Sequence, residues 1–175
     1  HKPDVIVSSG CAGGNGDGIN VQDVVVASET AYHDVYCGTA IDDSTVYGQV
    51  QGMPARFQAD PHLLTIAKQL SIQHPTPAIH PGLIVTGDWF VDTREKMRDI
   101  IALFPDALAV DMESAAIAQT CHIHRVPFIS FRVVSDLPLN DTDASQYHNF
   151  WDTIAQNSFQ VTRRYAESLQ KACSD

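Results

Sequence analysis

The stretch from residue 107 to residue 136 decides the fold class. It opens on Ala107-Leu108-Ala109-Val110, a short apolar run of strand length. Asp111-Met112-Glu113-Ser114 follows, and Met112 to His122 reads as a helix that is apolar on several sides and therefore well buried. The stretch closes on Val126-Pro127-Phe128-Ile129-Ser130-Phe131-Arg132-Val133-Val134, an aromatic and β-branched run that ends in Ser135-Asp136. Strand, buried helix and strand in so short a span make the repeating unit of an α/β protein.

Working upstream, Thr93 to Phe104 reads as a helix closed by Pro105, and Gly82-Leu83-Ile84-Val85-Thr86-Gly87-Asp88 as a strand running into a turn. Pro75, Pro77 and Pro81 mark a connection. Apolar residues at Leu63, Leu64, Ile66, Ala67 and Leu70 predict a helix over Pro61 to Ser71, with Asp60 as its cap and Pro61 in its first turn. Tyr32 to Ala59 reads as a long loop or hairpin region, and Val24 to Ser28 as a strand with Val21-Gln22-Asp23 as its lead-in. Val5-Ile6-Val7 predicts a buried strand that needs two neighbours, with nothing upstream to supply one. Ser8 to Gly14, followed by Gly16 and Gly18, reads as a glycine-rich turn. Downstream, a polar loop from Leu137 to Ser145 leads to one amphipathic helix over Tyr147 to Leu169. The expectation is a single α/β domain over residues 1–175 around a central sheet.

Composition narrows the function. With 44% hydrophobic and 18% charged residues in 175 positions, the chain can fill a core. A net charge of −10 argues against nucleic acid, whose phosphates need concentrated positive charge. No apolar run approaches the roughly 20 residues of a membrane span. Cys11, Cys37, Cys121 and Cys173 are scattered and read as reduced thiols of a cytoplasmic protein. His122 and His124 are two apart, which puts them on different faces of a helix, so ligation of a metal is not expected. A small molecule is the expected partner.

Polar groups gather where predicted strands end. The glycine-rich turn is either a plain tight turn or a place where a ligand approaches the backbone closely; it is neither GxGxxG nor a phosphate loop with Gly-Lys. Glu113 sits at a helix start, where a carboxylate caps, yet it could also accept hydrogen bonds from a vicinal diol. Arg132 lies inside an apolar strand and is costly to bury unless paired. Asp136 stands at a strand's carboxyl end, where open α/β sheets hold ligands. Trp89 and Phe90 are either core residues or an aromatic face for a planar base.

The order of these pieces is more specific than any one of them. Gly10-Cys11-Ala12-Gly13-Gly14, Tyr32-His33-Asp34, Thr86-Gly87-Asp88-Trp89-Phe90-Val91, Val110-Asp111-Met112-Glu113 and Arg132-Val133-Val134-Ser135-Asp136 together resemble the bacterial 5′-methylthioadenosine/S-adenosylhomocysteine nucleosidases of the purine nucleoside phosphorylase superfamily. The resemblance implies a three-layer fold with a central mixed sheet flanked by helices. It implies hydrolysis of the adenine–ribose bond of 5′-methylthioadenosine, S-adenosylhomocysteine and 5′-deoxyadenosine, with no metal or organic cofactor, in methionine salvage. It also implies a cytoplasmic homodimer in which Tyr32–Gly52 reaches the neighbouring subunit.

Carried over by motif, Asp136 is the acid that protonates adenine at N7, a role that burial favours and a neighbouring Arg132 opposes. Glu113 holds the ribose hydroxyls, Met112 packs on the sugar, and Arg132 stands near ribose and water. Phe90 stacks on the purine, the Val91 backbone reads its edge, and Tyr147 lids the 5′ substituent. Asp111, Cys11, Gly13 and Ser135 complete the implied substrate-binding set, although Cys11 replaces a serine common in the family and is a weaker hydrogen-bond partner. The family's opening segment, with the Glu that activates water, has no counterpart here, so this stretch reads as N-terminally incomplete and nearly inactive by itself. Alternative readings are a purine nucleoside phosphorylase, a futalosine-type hydrolase, or a silent nucleoside-binding fragment. A phosphorylase should bring cations to the glycine-rich segment, and Ser8-Ser9 brings only hydroxyls.

Overall fold

The computed structural model describes residues 2–38, 44–140, 145–154 and 159–172. Its strands are β1 (Ile6–Gly14), β2 (Val24–Tyr32), β3 (Phe57–Gln58), β4 (Ile79–Thr86), β5 (Ala107–Asp111) and β6 (Phe128–Asp136). The helices are α1 (Pro61–Gln73), α2 (Arg94–Leu103), α3 (Ser114–His124), α4 (Ser145–Asn149), which runs into a π-helical turn (Phe150–Ile154), and α5 (Gln160–Ala172). Mixed sheet and flanking helices make this an α/β fold, as the 107–136 stretch predicts. None of the described helices is long and apolar enough to cross a membrane.

β6 is buried along its whole length, which accounts for its apolar sequence. It runs parallel to β1 from Ile6–Phe128 to Gly13–Asp136. On its other edge it meets β2 antiparallel, with Val25 opposite Arg132. β2 is parallel to β4 and β4 to β5, while β5 returns antiparallel to β1 at Gly13 and Gly14. The sheet therefore closes on itself, with β3 attached to the far half of β2. Period-2 alternation sorts the side chains. Val24 and Val26 pack toward α1 and α5 with Leu63, Ile66 and Tyr165. Val25 and Ala27 join Ala12, Ile84, Ala109 and Val134, a cluster drawn from all five strands of the closed circuit. Small and β-branched residues suit so narrow an interior.

Local chemistry sets the helix starts. The Asp60 side chain accepts from the backbone N–H of His62 and Leu63, with Pro61 in the first turn of α1. Thr93 caps α2 through the Lys96 N–H. α3 ends on Arg125 in the left-handed conformation.

Several sequence expectations change. Ser8 to Gly14 is no turn: it continues β1. Glycine weakens a strand by itself, but here it makes room for side chains from β6 and from the residues just after it. A Cβ at Gly10 would lie 3.3 Å from the Arg132 guanidinium carbon, and one at Gly13 would lie 3.1 Å from Pro138. The neighbours of β1 come from downstream, β6 along most of its length and β5 at its end, and Ile6 and Val7 are half-buried. Pro81 lies within β4 rather than in the connection before it. The single helix expected over Tyr147–Leu169 is divided. At the π-helical turn Phe150 enters the core completely while the adjacent Trp151 stays exposed. Residues 155–158, inside that expected helix, lie outside the described residues, as do 141–144 of the preceding loop, 39–43 of the Tyr32–Gly52 segment, and Cys173.

Candidate active site

Two pairs of parallel strands, β1 with β6 and β4 with β5, end together. Gly13 near the end of β1, Thr86 at the end of β4, Asp111 at the end of β5 and Asp136 at the end of β6 stand around the mouth of a cavity of about 470 Å³ or beside its wall. This is where α/β sheets place ligands. The structure brings every residue of the predicted site to that one cavity: Cys11, Gly13, Phe90, Val91, Asp111, Met112, Glu113, Arg132, Ser135, Asp136 and Tyr147 all line it.

Arg132 is the buried hub. Its Nε donates to Asp111 Oδ2 over 2.7 Å, and one terminal nitrogen donates to Ser8 Oγ at 3.0 Å and to the Phe131 carbonyl at 3.2 Å. The other stands 3.6 Å from Glu113 Oε2. Asp111 also accepts from Thr86 Oγ1 at 2.5 Å, from the Ser114 N–H at 3.2 Å and from the Ser114 hydroxyl. Ser114 Oγ lies 2.7 Å from Ser130 Oγ. Charge burial at Arg132 is thus matched by a carboxylate whose remaining capacity is filled by hydroxyl and amide donors.

This network reassigns the helix cap. Asp111 accepts the Ser114 N–H at the start of α3, while Glu113, in the N-cap position, makes no capping hydrogen bond. The Glu113 side chain is 61% exposed, leaving its carboxylate available to a ligand.

Asp136 is buried, and its Oδ1 accepts from Ser135 Oγ at 2.5 Å. The same hydroxyl lies 3.3 Å from the Ala12 carbonyl, tying the acid to β1. A Cβ on Gly13 would lie 3.5 Å from Asp136 Oδ2, so the bare backbone there lets a ligand share the carboxylate's surroundings. Burial pushes the Cys11 thiol up; Arg132 works against that shift, and Asp136 and Glu113 add to it. Cys11 is therefore a neutral, weakly polar wall of the site and no thiolate nucleophile.

The opposite wall is aromatic. Trp89 and Phe90 are 55% and 46% exposed, which removes the core reading for both. Phe90 meets Tyr147 edge to face at 5.1 Å, and Tyr147 meets Trp151 at 6.2 Å. Lys96 Nζ lies over the Trp89 ring at 4.5 Å. Gln146 Oε1 accepts the Leu137 N–H at 2.9 Å, hooking α4 to the chain just beyond Asp136. The sequence reading did not include Trp151, Ser8 or Ile117, which also line the cavity. Trp151 follows Tyr147 by four residues, and that same-face spacing was the available signal. Nothing in its own sequence context marks Ser8 as a partner of Arg132.

A closed mixed sheet with a carboxylate-rich, aromatic-walled cavity at its strand ends matches a known class. The model of the phosphorylase superfamily matches residues 1–167. A 5′-methylthioadenosine/S-adenosylhomocysteine nucleosidase of Exiguobacterium is 39% identical over 98% of this chain and 72% of its own length. Among solved structures, the 5′-methylthioadenosine/S-adenosylhomocysteine nucleosidase of Neisseria meningitidis, in complex with methylthio-immucillin-A, aligns with a TM-score of 0.84 at 40% identity, covering 94% of this chain and 70% of that one. The enzyme of that description from Colwellia psychrerythraea, in complex with adenine, gives a TM-score of 0.82 at 34% identity over 95% and 67%. The chain belongs to the phosphorylase superfamily and, within it, to the 5′-methylthioadenosine/S-adenosylhomocysteine nucleosidase family.

Proposed function

We propose that this protein hydrolyses the N-glycosidic bond of 5′-methylthioadenosine and S-adenosylhomocysteine, and of 5′-deoxyadenosine, releasing adenine and the 5-substituted ribose. Residues 1–175 belong to one nucleoside phosphorylase-like domain in this reading. The observation that carries it is the pairing, across one cavity, of buried Asp136 and open Glu113 with the aromatic group Phe90, Tyr147 and Trp151. The methylthio-immucillin-A and adenine held by the two structural relatives fit the same reading.

The chemistry then follows from the geometry. The C1′–N9 bond breaks, its electron pair leaves with the purine, and Asp136 delivers a proton to N7. The ribose passes through an oxocarbenium-like state, which the negative charge of Glu113 stabilises while its oxygens accept from the 2′- and 3′-hydroxyls. Met112 packs against the sugar. Arg132 orients Glu113 and stands beside the water that adds to C1′. That water gives up one proton to solvent to leave the sugar hydroxyl, and Asp136 regains a proton from solvent for the next turnover. Phe90 stacks on the base, the Val91 backbone reads its 6-amino edge, and Tyr147 covers the 5′ substituent. Asp111 is not the water's base, because Arg132, Thr86 and Ser114 already occupy its oxygens. No step requires a metal or an organic cofactor.

One charge observation favours water over phosphate as nucleophile. Arg132 is the one Lys or Arg among the described residues lining the cavity, and Asp111 neutralises it. A phosphorylase needs a free cation there.

We also propose a homodimer, working in the cytoplasm in methionine salvage. Tyr36 and Tyr47 stack at 6.0 Å in the Tyr32–Gly52 segment and are 67% and 40% exposed, an aromatic surface suited to a second copy. Sedimentation equilibrium tests this: a dimer is expected, and a monomer at micromolar concentration would remove it. Chromatography of a reaction between the full-length protein and 5′-methylthioadenosine tests the activity: adenine must appear, and unchanged substrate would overturn the reading.

A further inference from the structure

The loop from Gly87 to Asp92 joins β4 to α2 and carries Trp89, Phe90 and Val91 to the cavity. A loop that presents a flat ring to a base must be held at its root. The motif Tyr32-His33-Asp34, which the catalytic reading leaves unused, lies against that root.

β2 ends at Tyr32, and the His33 N–H extends its pairing by donating to the Thr86 carbonyl at 2.8 Å. The His33 carbonyl accepts from Tyr47 Oη at 3.1 Å, so its backbone is fixed on both sides. His33 is 2% exposed, and neither of its ring nitrogens has a hydrogen-bond partner among the described residues. Burying both nitrogens unpaired is unfavourable, which calls for a reason why the ring is there. Gly87 supplies one. A Cβ at Gly87 would lie 2.6 Å from His33 Nε2 and 2.7 Å from Asp34 Cγ, so the backbone rests directly on ring and carboxylate. Asp34 Oδ2 then accepts the Asp88 N–H at 2.7 Å, a charge-assisted bond. On the other side the Gly87 N–H donates to the Asp111 carbonyl at 3.2 Å, the residue that anchors Arg132.

We infer that His33 and Asp34 are positioning residues that fix the Gly87–Val91 loop for purine binding: His33 is the surface on which Gly87 lies and Asp34 is the acceptor that holds Asp88. The purine part of this inference rests on the adenine-nucleoside reading of the cavity; the clamp itself does not.

The test uses the full protein with Asp34→Ala, Asp34→Asn and His33→Ala, adenine as the probe, and hydrogen exchange at residues 87–91. Losing an acceptor for a charge-assisted bond should weaken adenine binding about tenfold and speed exchange at the Asp88 amide by at least as much. Asp34→Asn keeps an acceptor oxygen and should stay within about twofold of the parent on both readouts. His33→Ala leaves the Asp88 bond in place but removes its support, so exchange should rise there too. With 5′-methylthioadenosine, Asp34→Ala should raise KM while kcat changes little. Parental binding and exchange in Asp34→Ala overturn the inference, and so does equal loss in Asp34→Asn. If the parent itself fails to bind adenine, the adenine reading fails, and the exchange comparison still decides the clamp. If Asp34→Ala does not fold, His33→Ala with parental exchange is the contrary result.

Discussion

Arg132 and Asp111 form a buried ion pair, Nε to Oδ2 at 2.7 Å, with 2% and none of their side-chain surfaces exposed. The pair joins β6 to the start of α3, because the same carboxylate caps that helix. Removing one partner leaves an uncompensated charge in the interior. Asp111→Ala should therefore cost about 3–5 kcal/mol of stability, measured by urea unfolding. A loss below about 1 kcal/mol, the scale of a surface pair, contradicts the assignment of this pair as a structural anchor.

Asp136→Asn tests the acid. The substitution preserves size and hydrogen bonding but cannot deliver a carboxylic proton. Turnover should fall by about 10²–10⁴-fold, with adenine affinity close to the parent's. A near-parental rate removes Asp136 from the mechanism.

The β-branched and aromatic stretch ending in Arg132-Val133-Val134-Ser135-Asp136 carried most of the fold, since a strand buried on both faces must be apolar throughout and Arg132 stood out against that background. Helix starts at Asp60 and Thr93 were legible for a similar reason: capping is local chemistry. Glycines 10, 13 and 14 misled, because their role is set by side chains of a strand more than a hundred residues later in the chain (Gly10 opposite Arg132). Closure of the sheet by β2 against β6 left no local trace either. Carboxylates at 111 and 113 both suited a helix start; only the placement of Arg132 and Thr86 decides that Asp111 takes the cap. Tyr147 was named by motif, whereas only a four-residue spacing from Tyr147 marked Trp151.

Phe90 is exposed and meets Tyr147 edge to face, so its ring is free to receive a planar base. Phe90→Ala should weaken adenine binding by about 1–3 kcal/mol, the range of base–aromatic stacking, in titration calorimetry. Unchanged affinity would show that the base lies elsewhere.

Stability should depend on pH through His33. Burial, and secondarily Lys96, lowers its pKa below the ordinary value, while Asp34 and Asp111 work against that shift. The unfolded chain therefore takes up this proton first, at about pH 6.5. The His33 contribution is complete above that pH and is lost as pH falls from there through the folded-state value. His33→Gln should flatten the parent's loss of stability below about pH 6.5, seen as urea midpoints compared between weakly acidic and neutral buffer. Parallel pH profiles for parent and variant would contradict this.

Water as the nucleophile is the central claim, and phosphate dependence tests it most directly. The full-length protein, freed of phosphate, is given 5′-methylthioadenosine with and without added inorganic phosphate, and the sugar product of each reaction is identified by mass. The account predicts adenine and free 5-methylthioribose at the same rate in both. Adenine release that needs phosphate, with a 1-phosphorylated sugar as the product, would contradict it.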